Sequence, residues 1–421
     1  MEQLEQLDTE KASKMIFDVC IVGAGLSGAY AAHLLRKSGK SVVVLDARNR
    51  VGGRLLTTMG GSERSGGGDL GGAWVWPRSE YVMSQFLQRL DVQTIPMHID
   101  GETMIRTPDG KRHVIPSGEA YRYAACGDGA VRISGGAASL VERLLKEDER
   151  NDMFLIHFRA KVTRIEHSGD EMSLTYYDSE SNTPTESTIK CRSAILAAPP
   201  KVLANTIDFC PPLPKGKIDS MYATPTWMEE YGKVAVSFPH NWWRSLDMSA
   251  ISIDEKGAVQ TWWEACSGNN EDGLYPTLAG FVTARGADEL QKIVGSESLH
   301  DYIIDSLTNI YGVDSTKMGI QKDAVAITSV GSVENDGLVI QKGGVTVTYK
   351  SWLKDRNTSP AACLETNTET NYGDRRLQQS IGCLFFAGTE TAHGSGHMEG
   401  AIIAARRAVD EVLTSLPPSN Y

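Results

Sequence analysis

One stretch limits what this chain can fold into more than any other: FDVCIVGAGLSGAYAAHLLRKSGKSVVVLDARNRVGGR, Phe17 to Arg54. An apolar run to Val22 meets Gly23-Ala24-Gly25-Leu26-Ser27-Gly28, an Ala- and Leu-rich segment runs on to Lys37, and a second apolar run, Ser41 to Leu45, ends on Asp46. Strand, glycine turn, helix, strand and terminal acid make a βαβ unit suited to holding a dinucleotide. Gly23 permits the tight turn, Gly25 lets a pyrophosphate approach bare backbone, and Gly28 lets the helix lie close on the sheet. The helix start, around Ser27, offers free N–H groups and a positive dipole end to phosphates. Asp46, eighteen residues after Gly28, can accept two hydrogen bonds from a ribose diol.

Two further motifs follow. Ala47-Arg48-Asn49-Arg50-Val51-Gly52-Gly53-Arg54 sets arginines around a Gly-Gly turn, an arrangement suited to clamping phosphate oxygens while the backbone passes close. After a Gly/Ser tract, Asp69-Leu70-Gly71-Gly72-Ala73-Trp74 places three small residues before a tryptophan, where a flat aromatic group can lie against the backbone.

Taken with ILAAPP (Ile195 to Pro200) and FFAGTETAHGSGHMEGA (Phe385 to Ala401), these motifs resemble the flavin-containing monoamine oxidase family, in the family's order and from Phe17 to about Leu413. The resemblance implies an α/β protein. A Rossmann-like FAD-binding domain of the glutathione-reductase type is interleaved with an α+β, sheet-based substrate domain. Residues 15–78, 134–220 and 360–415 are assigned to the FAD-binding domain, and 79–133 and 221–359 to the substrate domain.

FAD is expected at Gly23, Gly25, Ser27, Gly28, Asp46, Ala47, Arg48, Gly53, Arg54, Gly71, Gly72, Ala73, Trp74, Val162, Gly388, Thr389, Glu390, His397 and Met398. Val162 matches the family's residue whose backbone contacts adenine, and the helix from His397 is expected to aim its N-terminus at the flavin's pyrimidine edge, where the reduced ring carries charge. Lys233, in a run of period-two alternation, Tyr231 to Phe238, matches the family's lysine that holds a water beside flavin N5. Trp352 matches a tryptophan near the flavin. His397 stands where many members place one tyrosine of an aromatic pair, and the expected partner position, Ala361 to Leu364, offers no aromatic. A substrate contact for His397 and a plain packing role stay equally open, and Cys363 reads as a buried free thiol rather than a flavin attachment point.

The strand and helix pattern elsewhere fits this frame. Tyr81 to Leu90 and Leu299 to Tyr311 carry helical periodicity. Ile99 to Val114 reads as strands joined at Pro108-Asp109-Gly110. Phe154 to Glu166, Met172 to Tyr177, Ser193 to Ala198 and Val345 to Trp352 read as strands, and Asn335-Asp336-Gly337 as a turn.

Composition narrows the function classes. With 42 basic against 53 acidic residues and a net charge of −11, nonspecific binding to nucleic acid or an anionic membrane is disfavoured. Seven scattered cysteines form no CxxC pair, so no metal site is expected, and reduced thiols with a cytoplasmic location fit better than a disulfide framework. The first fourteen residues are polar and acid-rich, unlike a secretory signal, and no run approaches the ~20 apolar residues of a membrane anchor.

The expected reaction is FAD-dependent oxidation of a small-molecule amine to an imine with O2 reduced to H2O2. An L-amino acid oxidase, with Arg122, Arg132, Arg244 or Arg285 taking the carboxylate, and a non-catalytic flavin-binding scaffold are the alternatives. A homodimer is left open.

Overall fold

The structure, a computed structural model, describes residues 15–58, 67–146, 153–168, 171–178, 185–266, 268, 276–293, 297–321, 327–333, 337–360, 372–394 and 396–416. The two termini, most of the Gly/Ser tract, the segment around Cys363 and most of the turn expected at Asn335-Asp336-Gly337 lie outside these residues. The chain forms two compact units: Met1–Arg54 with Leu140–Trp227 and Arg356–Tyr421, and Leu55–Ser139 with Met228–Asp355.

In the first unit, unbroken Val, Ile and Leu runs predict strands covered on both faces, and they become a parallel sheet. Its order is Phe154–His157, Val42–Leu45, Ile16–Val22, Glu186–Leu196 and Leu384–Phe386. The N-terminal half of Glu186–Leu196 pairs instead with Glu171–Asp178, starting an antiparallel meander that continues through Ala160–Ser168 and ends on the parallel strand Asp208–Cys210. The run read as one strand from Phe154 to Glu166 is therefore two strands in different parts of the sheet. Arg159, at φ 56°, breaks it, and the bend brings the amide of Ala160 onto the carbonyl of Asp46.

The helix Leu26–Lys37 packs on Met398–Ser415, the sequence's first and last helices among the described residues. Both helices carry small buried residues, Ala29 and Ala32 on one and Ala404, Ala405 and Ala408 on the other. The prolines at 211, 212 and 214 lie within this unit, between Asp208–Cys210 and the helix Lys215–Ala223.

The second unit is built on a nine-stranded sheet: Ile327–Val333, Gly337–Lys342, Val345–Ser351, Gly232–Ser237, Thr277–Val282, Val259–Glu264, Met248–Asp254, Glu102–Arg106 and Arg112–Ile115. The last two strands meet at the expected turn, where Gly110 has φ 84° and the Thr107 hydroxyl donates to Asp109 Oδ1 at 2.6 Å. The period-two pattern of Gly232–Ser237 is realised in its packing. Val234, Val236 and the following Phe238 join a core with Leu299, Ile303, Leu307 and Ile310 of the helix Glu297–Tyr311. Ala235 packs with Leu56, Leu70 and Trp352 in a separate cluster. Both faces are covered, so Lys233 sits at 4% exposure, not in solvent.

Candidate active site

The glycine turn of the first unit keeps the division of labour read from the sequence. Gly23 has φ 105°, a conformation L side chains rarely adopt, and its amide donates to Leu45 O at 2.8 Å. A Cβ on Gly28 would overlap the carbonyl oxygen of Gly23 and stand 3.3 Å from Ala197 Cβ, so this glycine is required by packing. Gly25 differs. A Cβ there would meet nothing nearer than Gly52 O at 3.9 Å, so packing does not call for glycine, while the bare backbone faces open space where a phosphate can approach. The helix that starts after Gly25 has no side-chain cap, which leaves its first N–H groups for a ligand.

Asp46 is buried, and burial pushes its carboxyl above the usual range against the pull of Arg48. Its oxygens accept from the amides of Ala24 at 2.6 Å and Arg48 at 2.8 Å. Two of about four lone-pair sites are thus used, and the others suit a ribose diol. Val162 is a buried core side chain on Ala160–Ser168, two residues from the amide that reaches Asp46. Ala47, beside Asp46, is only partly buried. These features fit a dinucleotide.

The arginine loop is held by the protein itself. Arg48 Nη2 donates to Thr358 Oγ1 at 3.1 Å, and Arg50 donates to the carbonyls of Val51 and Gly53, each at 3.0 Å. Arg54, expected to clamp phosphate, pairs with Glu390 through two contacts, at 2.7 and 3.1 Å. Glu390 is fully buried and also accepts from the amide of Trp227 at 3.2 Å, while Arg54 Nη1 donates to Trp227 O at 3.2 Å. The Gly388 amide donates to Ser27 Oγ at 3.0 Å, and Thr389 Oγ1 donates to His397 O at 2.8 Å. The two glycine turns from opposite ends of the sequence are thereby joined, with His397 as the N-cap residue before Met398.

Sequence reading missed Trp227. Its indole packs edge-on with the His397 imidazole, centroids 5.3 Å apart, and with Tyr372 at 6.1 Å. Gly396 makes room, because a Cβ there would overlap the indole. The only local signal is an aromatic residue six positions before Lys233.

In the second unit, the motif Asp69-Leu70-Gly71 holds both sequence-assigned side chains of the strand sheet. Lys233 Nζ donates to the carbonyls of Gly71 at 2.6 Å and Asp69 at 3.3 Å, and Trp352 Nε1 donates to Leu70 O between them at 2.8 Å. The rings of Trp74, Trp263 and Phe281 surround the ammonium with centroids 5.1 to 5.4 Å away. Phe281 stands opposite Lys233 in the ladder, a neighbour fixed by strand order and register. Burial lowers the Lys233 pKa to about 8, partly offset by the charge of Asp69. Burial raises Asp69 to about 6, and hydrogen bonds from Thr57 Oγ1 and Ala137 N oppose it. Of the other residues in the motif, Gly72 is exposed and Ala73 is buried.

The arginines considered for a substrate carboxylate are placed differently. Arg244 and Arg132 both bind the buried carboxylate of Glu264, Arg244 at 2.6 and 2.9 Å and Arg132 at 3.0 Å, with Trp243 Nε1 donating at 3.1 Å. Arg122 pairs with Glu119 on the surface, and Arg285 is exposed on the helix Ala284–Gln291. Among the described residues no group of His, Cys, Asp and Glu could hold a metal, and no helix is long and apolar enough to cross a membrane.

Known proteins identify the family. The profile of flavin containing amine oxidoreductases matches residues 118–413, and that of a NAD(P)-binding Rossmann-like domain matches 21–90. Amine oxidase [flavin-containing] B of Bos taurus is 26% identical over 95% of this chain and 86% of its own length, and the A enzyme of the same species is 25% identical over 98% and 88%. The fold is similar to that of cyclohexylamine oxidase from Brevibacterium oxydans IH-35A, with TM-score 0.67 and 19% identity over 95% of this chain and 99% of that one. It is similar also to putrescine oxidase bound to putrescine, with TM-score 0.65 and 18% identity over 95% and 99%. The chain belongs to the flavin containing amine oxidoreductase family, and is an FAD-dependent oxidoreductase acting on amines.

Proposed function

We propose that this enzyme is an oxidase that converts a small amine to an imine and passes the electrons to O2, giving H2O2. Bound FAD would supply the two-electron chemistry: two electrons and two protons leave the amine, from its α-carbon C–H and its N–H, and both electrons and both protons end on dioxygen as H2O2. The imine then reacts with water to give a carbonyl compound and ammonia or an amine.

The chain's own residues supply binding, order and proton handling. The Gly23 to Gly28 turn and the uncapped helix after it receive the pyrophosphate, and Asp46 receives the adenosine ribose. Lys233 is assigned to the reactive edge of the flavin. An ammonium has three donors, of which two go to Gly71 O and Asp69 O. The third is assigned to a water there, held ready to give a proton as oxygen is reduced. His397 and Trp227 are assigned to the amine, the indole as an aromatic wall and the imidazole as a hydrogen-bonding group.

The observation that carries this reading is the buried Lys233 ammonium, held by the carbonyls of Asp69 and Gly71 on either side of the one that takes Trp352. An amino acid oxidase is less well supported, since Arg132 and Arg244 already share one carboxylate. The test is peroxide and ammonia release from a panel of primary amines and L-amino acids by the FAD-loaded protein. Turnover of amines in preference to amino acids is expected. Absence of peroxide with every amine would overturn the proposal.

A further inference from the structure

We infer that Asp69 is a positioning residue for Lys233: its carboxylate fastens the tripeptide whose carbonyls hold the ammonium, and supplies a counter-charge one layer behind it. This rests on the role proposed above for Lys233.

The geometry separates two jobs that one carboxylate usually performs together. Lys233 donates to the backbone oxygen of Asp69. The Asp69 side chain is spent elsewhere: Oδ1 accepts from Thr57 Oγ1 at 2.5 Å and Ala137 N at 3.0 Å, and Oδ2 lies 3.3 Å from the same amide. A direct salt bridge would occupy the donor that Lys233 needs for water. A carboxylate set back by one residue stabilises the positive charge and leaves that donor available.

The rest of the strap supports the arrangement. Leu70 N donates to Leu56 O at 2.8 Å, and a Cβ on Gly68 would press on Ala265 and Thr277, each at 3.1 Å. The strap therefore lies hard on the sheet, and a small tilt of Asp69 would carry both lysine acceptors with it.

Other charges nearby are arranged in pairs. Arg132, on the strand Val131–Ile133, acts on Asp69 and is tied to Glu264, which Arg244 shares. Lys350, opposite Lys233 in the ladder, is paired with Asp355 at 3.0 Å. Asp69 is the anion whose charge acts on Lys233.

The test compares wild type, Asp69→Asn, Asp69→Ala and Lys233→Met as FAD-loaded proteins. Asp69→Asn removes the charge, while its Oδ1 can keep both Thr57 and Ala137. Flavin content and far-ultraviolet dichroism are expected to stay at wild-type values. The apparent pKa in the pH profile of flavin reoxidation is expected to fall by about 1–2 units in Asp69→Asn, the size of effect one opposite charge has at close range. Asp69→Ala should add a loss of rate at every pH, which Asp69→Asn largely rescues.

A second readout does not depend on turnover. Wild-type melting temperature should rise as pH falls through about 6, because folded Asp69 holds its proton more tightly than the unfolded chain does, and Asp69→Asn should lack that rise. A reoxidation profile of Asp69→Asn that superimposes on wild type, with the Lys233→Met profile altered, would overturn the inference alone. A Lys233→Met profile matching wild type would overturn the reading beneath it as well.

Discussion

Arg54 and Glu390, 336 positions apart in the sequence, form a two-point ion pair in which the carboxylate is wholly buried and the guanidinium side chain is 26% exposed. The pair ties the loop after the Gly52-Gly53 turn to the turn that starts at Gly388, and through the Trp227 backbone it holds the chain at the end of its unit. Arg54→Ala leaves a buried anion without its partner and should cost about 3 kcal/mol at neutral pH, the low end for such a loss because the arginine reaches water. Denaturant unfolding at neutral pH checks this. Arg54→Lys should recover only part of the loss, since the two-point geometry is gone.

Lys233 should divide the two halves of the reaction by pH. Its pKa near 8 lies below the ordinary lysine range because burial disfavours the charged form. Flavin reoxidation should therefore slow as pH rises through about 8, while reduction by amine speeds up as the substrate loses its proton. Lys233→Met should retain FAD, lose the reoxidation limb near 8 and slow that step by about 100-fold. Rapid-mixing measurements of each half-reaction across pH read this directly. For stability the sign is the reverse of a paired lysine. The lowered folded pKa favours the folded chain above about 10.5, and that contribution is lost as pH falls through about 8.

Trp227 and Gly396 should behave as one feature of the substrate site. Trp227→Ala removes the ring beside His397 and should raise KM for aromatic and alkyl amines about tenfold, with less effect on kcat. Gly396→Ala places a methyl where the indole lies, so it should displace the ring and reproduce the KM effect with Trp227 and His397 both retained, at about 1–3 kcal/mol of stability. Steady-state kinetics on an amine series, with unfolding curves beside them, check both.

Glu264 answers two arginines at once. Glu264→Gln leaves the buried Arg132 and the exposed Arg244 without their carboxylate, and should cost about 3–5 kcal/mol. Replacing Arg244, the more exposed partner, should cost less than replacing Arg132. The order of the three unfolding free energies is the measurement.

What could be read from the sequence was local. The φ of Gly23, the acid at Asp46 that ends its strand and the helix after His397 each follow from residues within a few positions of one another. The alternation around Lys233 also survives, and shows which residues share its face. Its neighbours were not legible. Phe281 and Trp263 reach the ammonium because of strand order and register, which no single segment records. Arg54 looked like a phosphate clamp since its buried partner lies at the far end of the chain, and the strand break at Arg159 depends on a left-handed backbone at a residue type that gives no warning of it.

The most direct test of the account is anaerobic mixing of the FAD-loaded protein with an excess of a primary amine, followed by admission of oxygen. The visible flavin band is expected to bleach without oxygen and to return on its admission with release of one equivalent of peroxide, the return being slow in Lys233→Met. A flavin band that no amine bleaches, in protein shown to hold FAD, would contradict it.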